Sequence, residues 1–295
     1  MHLIPGIIAF GIYSASLIAL GAVGFTLQFG VTNALNLAFG SIMTAATFID
    51  FYVGGGSTNI WLGIGIGAAS GAMLSWFVGA VVVRSFTRRG STLFGLAMVM
   101  IALSLIIQYT LEGIQGPLSL TYHEPPVSSI HIGPVVMSGA QLVIIGSAVV
   151  LVLAVHLLLR YTRLGLAMRA VSIDPALSRS CGVPTETVRT LAWLISGALC
   201  GVAGVLLGLS TGAFDSTLST TLFITIVAAA IIGGIGHPYG AMLGALVIGI
   251  VSEAASAVWS PDYKDVVAWS ILILVLLFRP QGIFKEFASE RKLVE

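Results

Sequence analysis

Hydrophobic residues fall into long runs that are separated by short polar segments. Nine such runs occupy residues 7–29, 36–53, 61–83, 92–111, 139–159, 187–209, 219–236, 240–258 and 266–278. A transmembrane helix needs about 20 apolar residues, and most of these runs approach that length. The pattern predicts an all-α, polytopic transmembrane bundle of about eight to ten spans, formed as a single membrane domain over residues 1–295.

One part of this pattern leaves two alternatives open. A Gly- and Pro-containing segment, 233–240, interrupts the apolar stretch 219–258. It predicts either a tight turn between two spans or a re-entrant element.

Composition supports a membrane protein. Hydrophobic residues make up 57% of the chain, charged residues 8%, and mean hydropathy is +1.04. These values exclude an ordinary soluble domain and a disordered chain. The formal net charge of +1 gives no indication of nucleic-acid binding.

Basic residues predict the orientation, since Lys and Arg concentrate in cytoplasmic loops. All but Lys264 of the 13 lie in three clusters, and the loops 54–60, 112–138 and 210–218 contain none. The clusters are Arg84, Arg88 and Arg89; Arg160, Arg163, Arg169, Arg179 and Arg189; and Arg279, Lys285, Arg291 and Lys292. Nine spans with these clusters inside place the N-terminus outside and the C-terminus in the cytoplasm.

Small and polar residues recur at helical spacing within the apolar runs. Glycines four residues apart, such as Gly67 and Gly71 or Gly197 and Gly201, favour close packing of helices. Polar positions in the second run are spaced to share one helical face; they are Asn36, Gly40, Thr44, Thr47 and Asp50. This stripe either bonds to a neighbouring helix or lines a path for a solute. Similar pairs are Ser104 with Gln108 and Thr221 with Thr225.

The polar segment 160–189 has its own helical signals. Asp174 is a good N-cap, Pro175 suits a first helical position, and Gly182 suits a C-terminal stop. These residues predict a two-turn helix over Pro175–Cys181, followed by a helix that Thr185 caps. A short capped helix between two spans favours a docking element over a plain connecting loop.

Several motifs of catalysis and cofactor binding are absent from the sequence. It contains no G-x-x-x-x-G-K-[ST] and no H-E-x-x-H, and its two cysteines have no metal-site spacing. Residues 208–212 match G-x-S-x-G, but they end a predicted membrane helix instead of following a strand. We therefore predict a protein that is not an enzyme and holds no cofactor.

Five segments, in order along the chain, resemble branched-chain amino acid ABC transporter permeases. They are N-L-A-F-G at 36–40, the loop residues 167–175 with 181–183, L-C-G-V-A-G-V-L at 199–206, G-G-I-G-H-P-Y-G-A at 233–241, and L-V-L-L-F-R-P-Q-G-I-F at 274–284. Two positions depart from that family. Phe39 stands where it often has His, and Thr225 where many members have Lys.

The resemblance implies the permease subunit of a bacterial ABC importer in the inner membrane. It would move branched-chain or related amino acids inward, beside a second permease chain, two ATPase subunits that bind the ATP, and an extracytoplasmic solute-binding protein. Coupling to the ATPase would involve Asp174, Pro175, Ala176, Arg179 and Gly182. The translocation path would involve Asn36, Gly40, Thr44, Thr47, Gln108 and Thr225. Alternatives are a permease of this family for urea, short amides or another small polar solute, or a self-sufficient secondary transporter.

Overall fold

A computed structural model describes residues 3–56, 59–90, 92–116, 118–122, 129–132, 135–258, 260 and 263–278. Helices dominate this part of the chain. They are α1 (Leu3–Thr32), α2 (Phe39–Val53), α3 (Ile60–Phe77), a π-helical segment (Val78–Val83), α4 (Arg84–Arg88), α5 (Leu93–Gln115), α6 (Gly139–Tyr161), α7 (Arg163–Ile173), α8 (Pro175–Ser180), α9 (Thr185–Thr211), α10 (Leu218–Gly233), α11 (Pro238–Val258) and α12 (Lys264–Phe278). Short strands are β1 (Leu120–Thr121), β2 (Ser129–Ile132), β3 (Val135–Ser138) and β4 (Ala213–Phe214).

Each of the nine apolar runs contains a helix. Six helical stretches of the described chain are long and apolar enough to cross a membrane: 5–32, 60–87, 94–115, 139–161, 185–211 and 238–258. The helices α2, α10 and α12 have 15, 16 and 15 residues. At about 1.5 Å per residue they are shorter than the roughly 30 Å hydrocarbon core. The predicted polytopic helical bundle is confirmed, and within the described residues three of its nine predicted spans cover less than a full crossing.

Helix α9 occupies the centre of the bundle. It packs against α1, α2 and α3. In the most apolar stretch of α9, 72% of the residues are buried, whereas the corresponding share for α5 is 11%. A Cβ added at Gly201 would collide with the backbone of Gly67, and one at Gly71 would collide with that of Gly197. The predicted glycine faces therefore bring α3 and α9 into backbone contact.

The segment between α10 and α11 forms a tight turn. Gly234 and Gly236 adopt φ values of 93° and 92°, which glycine allows without a steric penalty. Gly233 and Gly240 lie so close that a Cβ on either would overlap the other's backbone. The structure shows two packed helices joined by a tight turn.

The π-helical segment accommodates an aromatic ring from α9. A Cβ at Gly79 would lie 2.5 Å from Cδ2 of Trp193, whose side chain is only 4% exposed. The Trp193 ring is therefore buried in the contact between α9 and this segment. The widened backbone of a π turn coincides with the close approach of the ring.

Two pairs of strands lie outside the long helices. β1 pairs antiparallel with β4, and β2 with β3. The β1–β4 pair lies at the end of α9 opposite to α8. We call the two ends of the bundle the α8 end and the β4 end. The third basic cluster, 279–292, and the segment 279–284 lie outside the described residues.

Candidate functional site

The short helix α8 at the α8 end has an N-terminal cap. Oδ1 of Asp174 accepts hydrogen bonds from the backbone N–H groups of Ala176, at 2.8 Å, and Leu177, at 3.0 Å. Pro175 occupies the first helical position, where a missing N–H costs nothing. The predicted cap and start of this helix are confirmed.

The other end of α8 closes with a Schellman motif. Gly182 adopts φ 83°, its N–H donates to the Arg179 carbonyl, and the Val183 N–H donates to the Ser178 carbonyl, both at 3.0 Å. This is the glycine stop that the sequence predicts. The helix ends at Ser180, with Cys181 as its cap, one residue earlier than expected.

One local prediction in this loop is wrong. Pro184, not Thr185, is the N-cap residue of α9, and Thr185 is the first helical residue. The Thr185 hydroxyl instead accepts from the Arg179 guanidinium, at 3.4 Å from Nε and 3.3 Å from Nη2. This contact ties α8 to the beginning of α9.

Apolar side chains on this rigid loop point away from the bundle. Helix α7 buries Met168 and Val171 against the core, whereas Ile173 is 76% exposed and Leu177 is 62% exposed. Ala176 is also exposed, and Pro175 is half-buried. The loop therefore presents a small apolar surface, formed by Ile173, Ala176 and Leu177, on a fixed backbone.

A cavity of about 620 Å³ lies beside α8, between the π-helical segment, α4 and the start of α9. Three guanidinium groups and one carboxylate line it, from Arg84, Arg179, Arg189 and Glu186. Nε of Arg84 lies 4.0 Å from Glu186, and Nη1 of Arg189 lies 3.7 Å from it. The cavity is thus positively charged and adjoins the exposed apolar surface of the loop.

The candidate path residue Asn36 lies outside the helix to which it was assigned. Helix α2 begins at Phe39, and Asn36 sits in the preceding turn, so the predicted five-residue face is wrong at its first member. Nδ2 of Asn36 donates to Oε1 of Gln28 at 3.3 Å, and Oγ of Ser196 donates to the same oxygen at 3.1 Å. The Asn36 carbonyl also accepts from the Phe39 N–H at 3.3 Å, which places Asn36 in the turn before α2.

The remaining stripe residues of α2 face other helices. Gly40 lies against Phe223 of α10, and the Thr44 hydroxyl accepts at 3.4 Å from the Ser219 backbone N–H. The Thr47 hydroxyl donates to the Met43 carbonyl at 3.1 Å. All three positions are buried, so the structure places them at helix contacts within the chain.

The other two candidate path residues lie apart from this stripe. Gln108 on α5 is half-buried, one turn beyond Ser104, whose hydroxyl lies 2.7 Å from that of Ser41 on α2. Thr225 lines a second cavity, of about 260 Å³, at the β4 end. The structure thus distributes the predicted path residues among the core, a half-buried position on α5 and this cavity.

Asp50 has a partner that is distant in sequence. Its Oδ2 accepts a hydrogen bond of 3.0 Å from the Tyr122 hydroxyl, and both residues are buried. Burial, followed by the Asp50 carboxylate, raises the pKa of Tyr122 above its ordinary value, so the phenol stays protonated. Phe48 and Phe214 pack around this pair, and Phe214 lies 5.2 Å from the Tyr122 ring.

The Glu253 carboxylate near the end of α11 is paired with a cation from α12. Its Oε2 lies 2.6 Å from Nζ of Lys264, and the same Nζ donates to the Ser14 hydroxyl at 3.0 Å. The sequence offered little signal for this pair, because the two residues are eleven positions apart across the α11–α12 turn.

Comparison with known proteins identifies relatives that match most of the chain. Residues 7–276 match the family model described as branched-chain amino acid transport system / permease component. The chain belongs to this family. It is 30% identical over 287 residues to the high-affinity branched-chain amino acid transport system permease protein LivH of Salmonella typhimurium, covering 92% of each chain.

Two further relatives show the breadth of the family. The permease protein BraD of the corresponding system in Pseudomonas aeruginosa is 29% identical, over 92% of this chain and 93% of its own. The ribose import permease protein RbsC of Escherichia coli is 22% identical, over 87% and 80%. No solved structure matched the chain. These relatives are transport permeases, and this chain is a multi-pass membrane permease of the same kind.

Proposed function

We propose that this chain is the transmembrane subunit of an ABC importer for branched-chain amino acids. Family membership and the LivH and BraD relatives support the solute class. The single structural observation that carries the proposal is the α7–α8 loop. A doubly capped helix that exposes Ile173 and Leu177 beside an arginine-lined cavity suits a docking site for another protein.

In this proposal α8 is the coupling helix, and the apolar surface of Ile173, Ala176 and Leu177 enters a groove of an ATPase subunit. Asp174 and Gly182 fix the ends of the helix, and Arg179 holds it to α9 through Thr185. Because α8 is tied to the most buried helix of the bundle, a displacement of α8 by the ATPase is transmitted to α9 and its neighbours. ATP binds to the partner subunits, and this chain needs no cofactor.

The proposed assembly also contains a second permease, a different chain, and an extracytoplasmic solute-binding protein. The α8 end faces the cytoplasm of a bacterial cell, and the β4 end faces outward. The first two basic clusters support this orientation, since the described loops at the β4 end contain no Lys or Arg except Lys264. The N-terminus is then periplasmic and the C-terminus cytoplasmic.

The proposed path runs beside the polar residues of α2 and its preceding turn. Nε2 of Gln28 and Oδ1 of Asn36 are buried and lack a hydrogen-bond partner among the described residues. Unpartnered amide atoms are costly inside a bilayer. Opening the contact of α2 with α1 and α9 during transport would give these atoms water or solute as partners.

Reconstitution tests the function. The tagged chain should recover two ATPase subunits and a second permease in mild detergent, and the complex should take up leucine, isoleucine and valine in proteoliposomes. Uptake should require ATP and the loaded binding protein. Uptake by the chain alone on an ion gradient would contradict the proposal and favour a secondary transporter.

Substitutions separate a path role from packing. Thr44→Val and Asn36→Leu should slow uptake while ATPase recovery stays unchanged. Thr110→Val is the matched control, because the Thr110 hydroxyl bonds only to its own helix on the exposed face of α5. Equal uptake by all three variants would contradict the path assignment.

One observation favours a solute other than an amino acid. The likeness to the ribose permease RbsC shows that related chains are named for solutes other than amino acids. Competition of leucine uptake by ribose, urea and short amides distinguishes these alternatives, since a branched-chain amino acid importer should be unaffected by each of them.

A further inference from the structure

The cavity at the β4 end combines charged groups with an apolar wall. It measures about 260 Å³ and opens at the surface between α1, α9, α10, α11 and α12. Both side chains at the start of α12, Lys264 and Asp265, line it. Ligand pockets for drug-sized molecules begin at about 300 Å³, so a cavity of this size fits a smaller solute.

The cation of this cavity is held in place and keeps bonding capacity. The Lys264 ammonium has three N–H donors. One bonds to Glu253 at 2.6 Å and a second to Ser14 at 3.0 Å. The Ser14 hydroxyl also lies 3.4 Å from Glu253, which closes a three-membered polar cluster. Within the described part of the chain its third N–H has no partner, so it can bond to a ligand in the cavity.

The Asp265 carboxylate, which is next to Lys264 in the chain, has no such partner among the described residues. Asp265 is half-buried, and within the described part of the chain it makes no ion pair or hydrogen bond. A carboxylate beside apolar side chains is stabilised by a bound cation. The apolar wall is supplied by Leu17, Leu222 and Ala268.

We propose that this cavity binds a free α-amino acid on the outer side of the permease. The Lys264 ammonium receives the carboxylate of the amino acid, Asp265 receives its ammonium, and the wall of Leu17 and Leu222 receives its aliphatic side chain. Glu253 and Ser14 act as positioning residues for Lys264. The inference rests on the proposed function, because it takes the transported solute as the ligand and the β4 end as the outer face.

The same zwitterionic chemistry could come from a lipid ethanolamine headgroup, with a phosphate in place of the carboxylate. The apolar wall favours the amino acid, since a headgroup carries its alkyl chains beyond the phosphate, away from its ammonium. A test must therefore include a headgroup probe.

Cysteine protection tests the site on the assembled importer. Ser210 lies at the cavity and is partly accessible, so Ser210→Cys in a Cys181→Ser background places a reporter there. Cys200 is buried and stays in place. We expect L-leucine at millimolar concentration to slow modification of the reporter by a charged thiol reagent. Neither 4-methylpentanoate, which lacks the ammonium, nor 3-methylbutylamine, which lacks the carboxylate, should do so.

Variants of the charged groups separate recognition from a general conformational effect. Asp265→Asn should raise the leucine concentration needed for protection about tenfold. Asp215→Asn is the matched control: Asp215 is exposed at the same end, and asparagine retains its cap bond to Thr217.

Lys264→Gln should abolish protection. The Lys264→Gln variant also leaves Glu253 without its cation. If that variant fails to assemble, the result for Asp265→Asn decides whether the site exists. The native chain, with Cys181 exposed on the distant loop, should show no protection by leucine.

Parallel uptake measurements keep the two proposals distinguishable. Leucine uptake without protection of the reporter would overturn the site and leave the function standing. Protection without leucine uptake would support the site and contradict the function. Protection by glycerophosphoethanolamine but not by leucine, or equal protection in Asp265→Asn and the reference, would overturn the amino-acid site.

Discussion

Two apolar clusters, one at each end of the bundle, differ in whether the chain itself covers them. At the β4 end, Phe48, Tyr122 and Phe214 are no more than 5% exposed and enclose the Asp50 carboxylate. At the α8 end, Ile173 and Leu177 are 76% and 62% exposed on a backbone that is capped at both ends. An apolar cluster that is covered within the chain contributes to folding, whereas an exposed one on a rigid element indicates a partner. The difference supports a stabilising role for the first cluster and the proposed docking role for the second.

The largest expected effect is on the stability of the covered end. Phe214→Ala should lower the free energy of unfolding by about 3–5 kcal/mol, because it leaves a cavity among Phe48, Phe51 and Tyr122. Thermal unfolding of the purified protein in detergent measures the loss. The control is Phe94→Ala on α5, where the side chain is 70% exposed and the change should be small. Equal losses in the two variants would contradict the covered cluster.

The next effect is on docking at the exposed end. Leu177→Asp should weaken ATPase binding by about 2 kcal/mol, or roughly thirtyfold, since it places a charge in the proposed apolar contact. Its unfolding temperature should be unchanged, because Leu177 packs on little of the chain. Ser172→Asp adds the same charge at an exposed position of α7 and should retain binding. Loss of stability in Leu177→Asp, with binding intact, would reverse the assignment.

A smaller effect should follow removal of a single hydrogen bond. Tyr122→Phe leaves the Asp50 carboxylate buried without this donor, and we expect a loss of roughly 1.5 kcal/mol in the free energy of unfolding. ATPase binding should not change. Tyr109→Phe, at a side chain that is 65% exposed on α5, is the control. A Tyr122→Phe variant as stable as this control would show that the bond is dispensable.

The smallest effect concerns the cap of α8. Asp174→Ala removes two bonds to backbone N–H groups and should destabilise the helix by about 1 kcal/mol. We expect more ATP to be hydrolysed per solute imported, while membrane insertion stays intact. Asp174→Asn should behave as the native chain, since asparagine caps equally well. Full coupling in Asp174→Ala would contradict the role of α8.

Sequence reasoning succeeded at several features whose controlling contacts are local, although Pro184 and not Thr185 caps α9. The cap at Asp174, the stop at Gly182 and the turn at 233–240 depend on residues within a few positions of one another. It was wrong at Asn36, whose side chain bonds to Gln28 on the preceding helix and holds a turn where a helical face was expected. It missed the Tyr122 partner of Asp50 and the Lys264 partner of Glu253, because those contacts exist only once distant segments have packed.

Site-specific photocrosslinking tests the docking assignment most directly. A photoreactive residue at position 177, in the assembled importer, should crosslink to an ATPase subunit. The same residue at position 121, exposed at the β4 end, should give no such product. Crosslinking to the ATPase from position 121, or none from position 177 in a complex that transports leucine, would contradict the account.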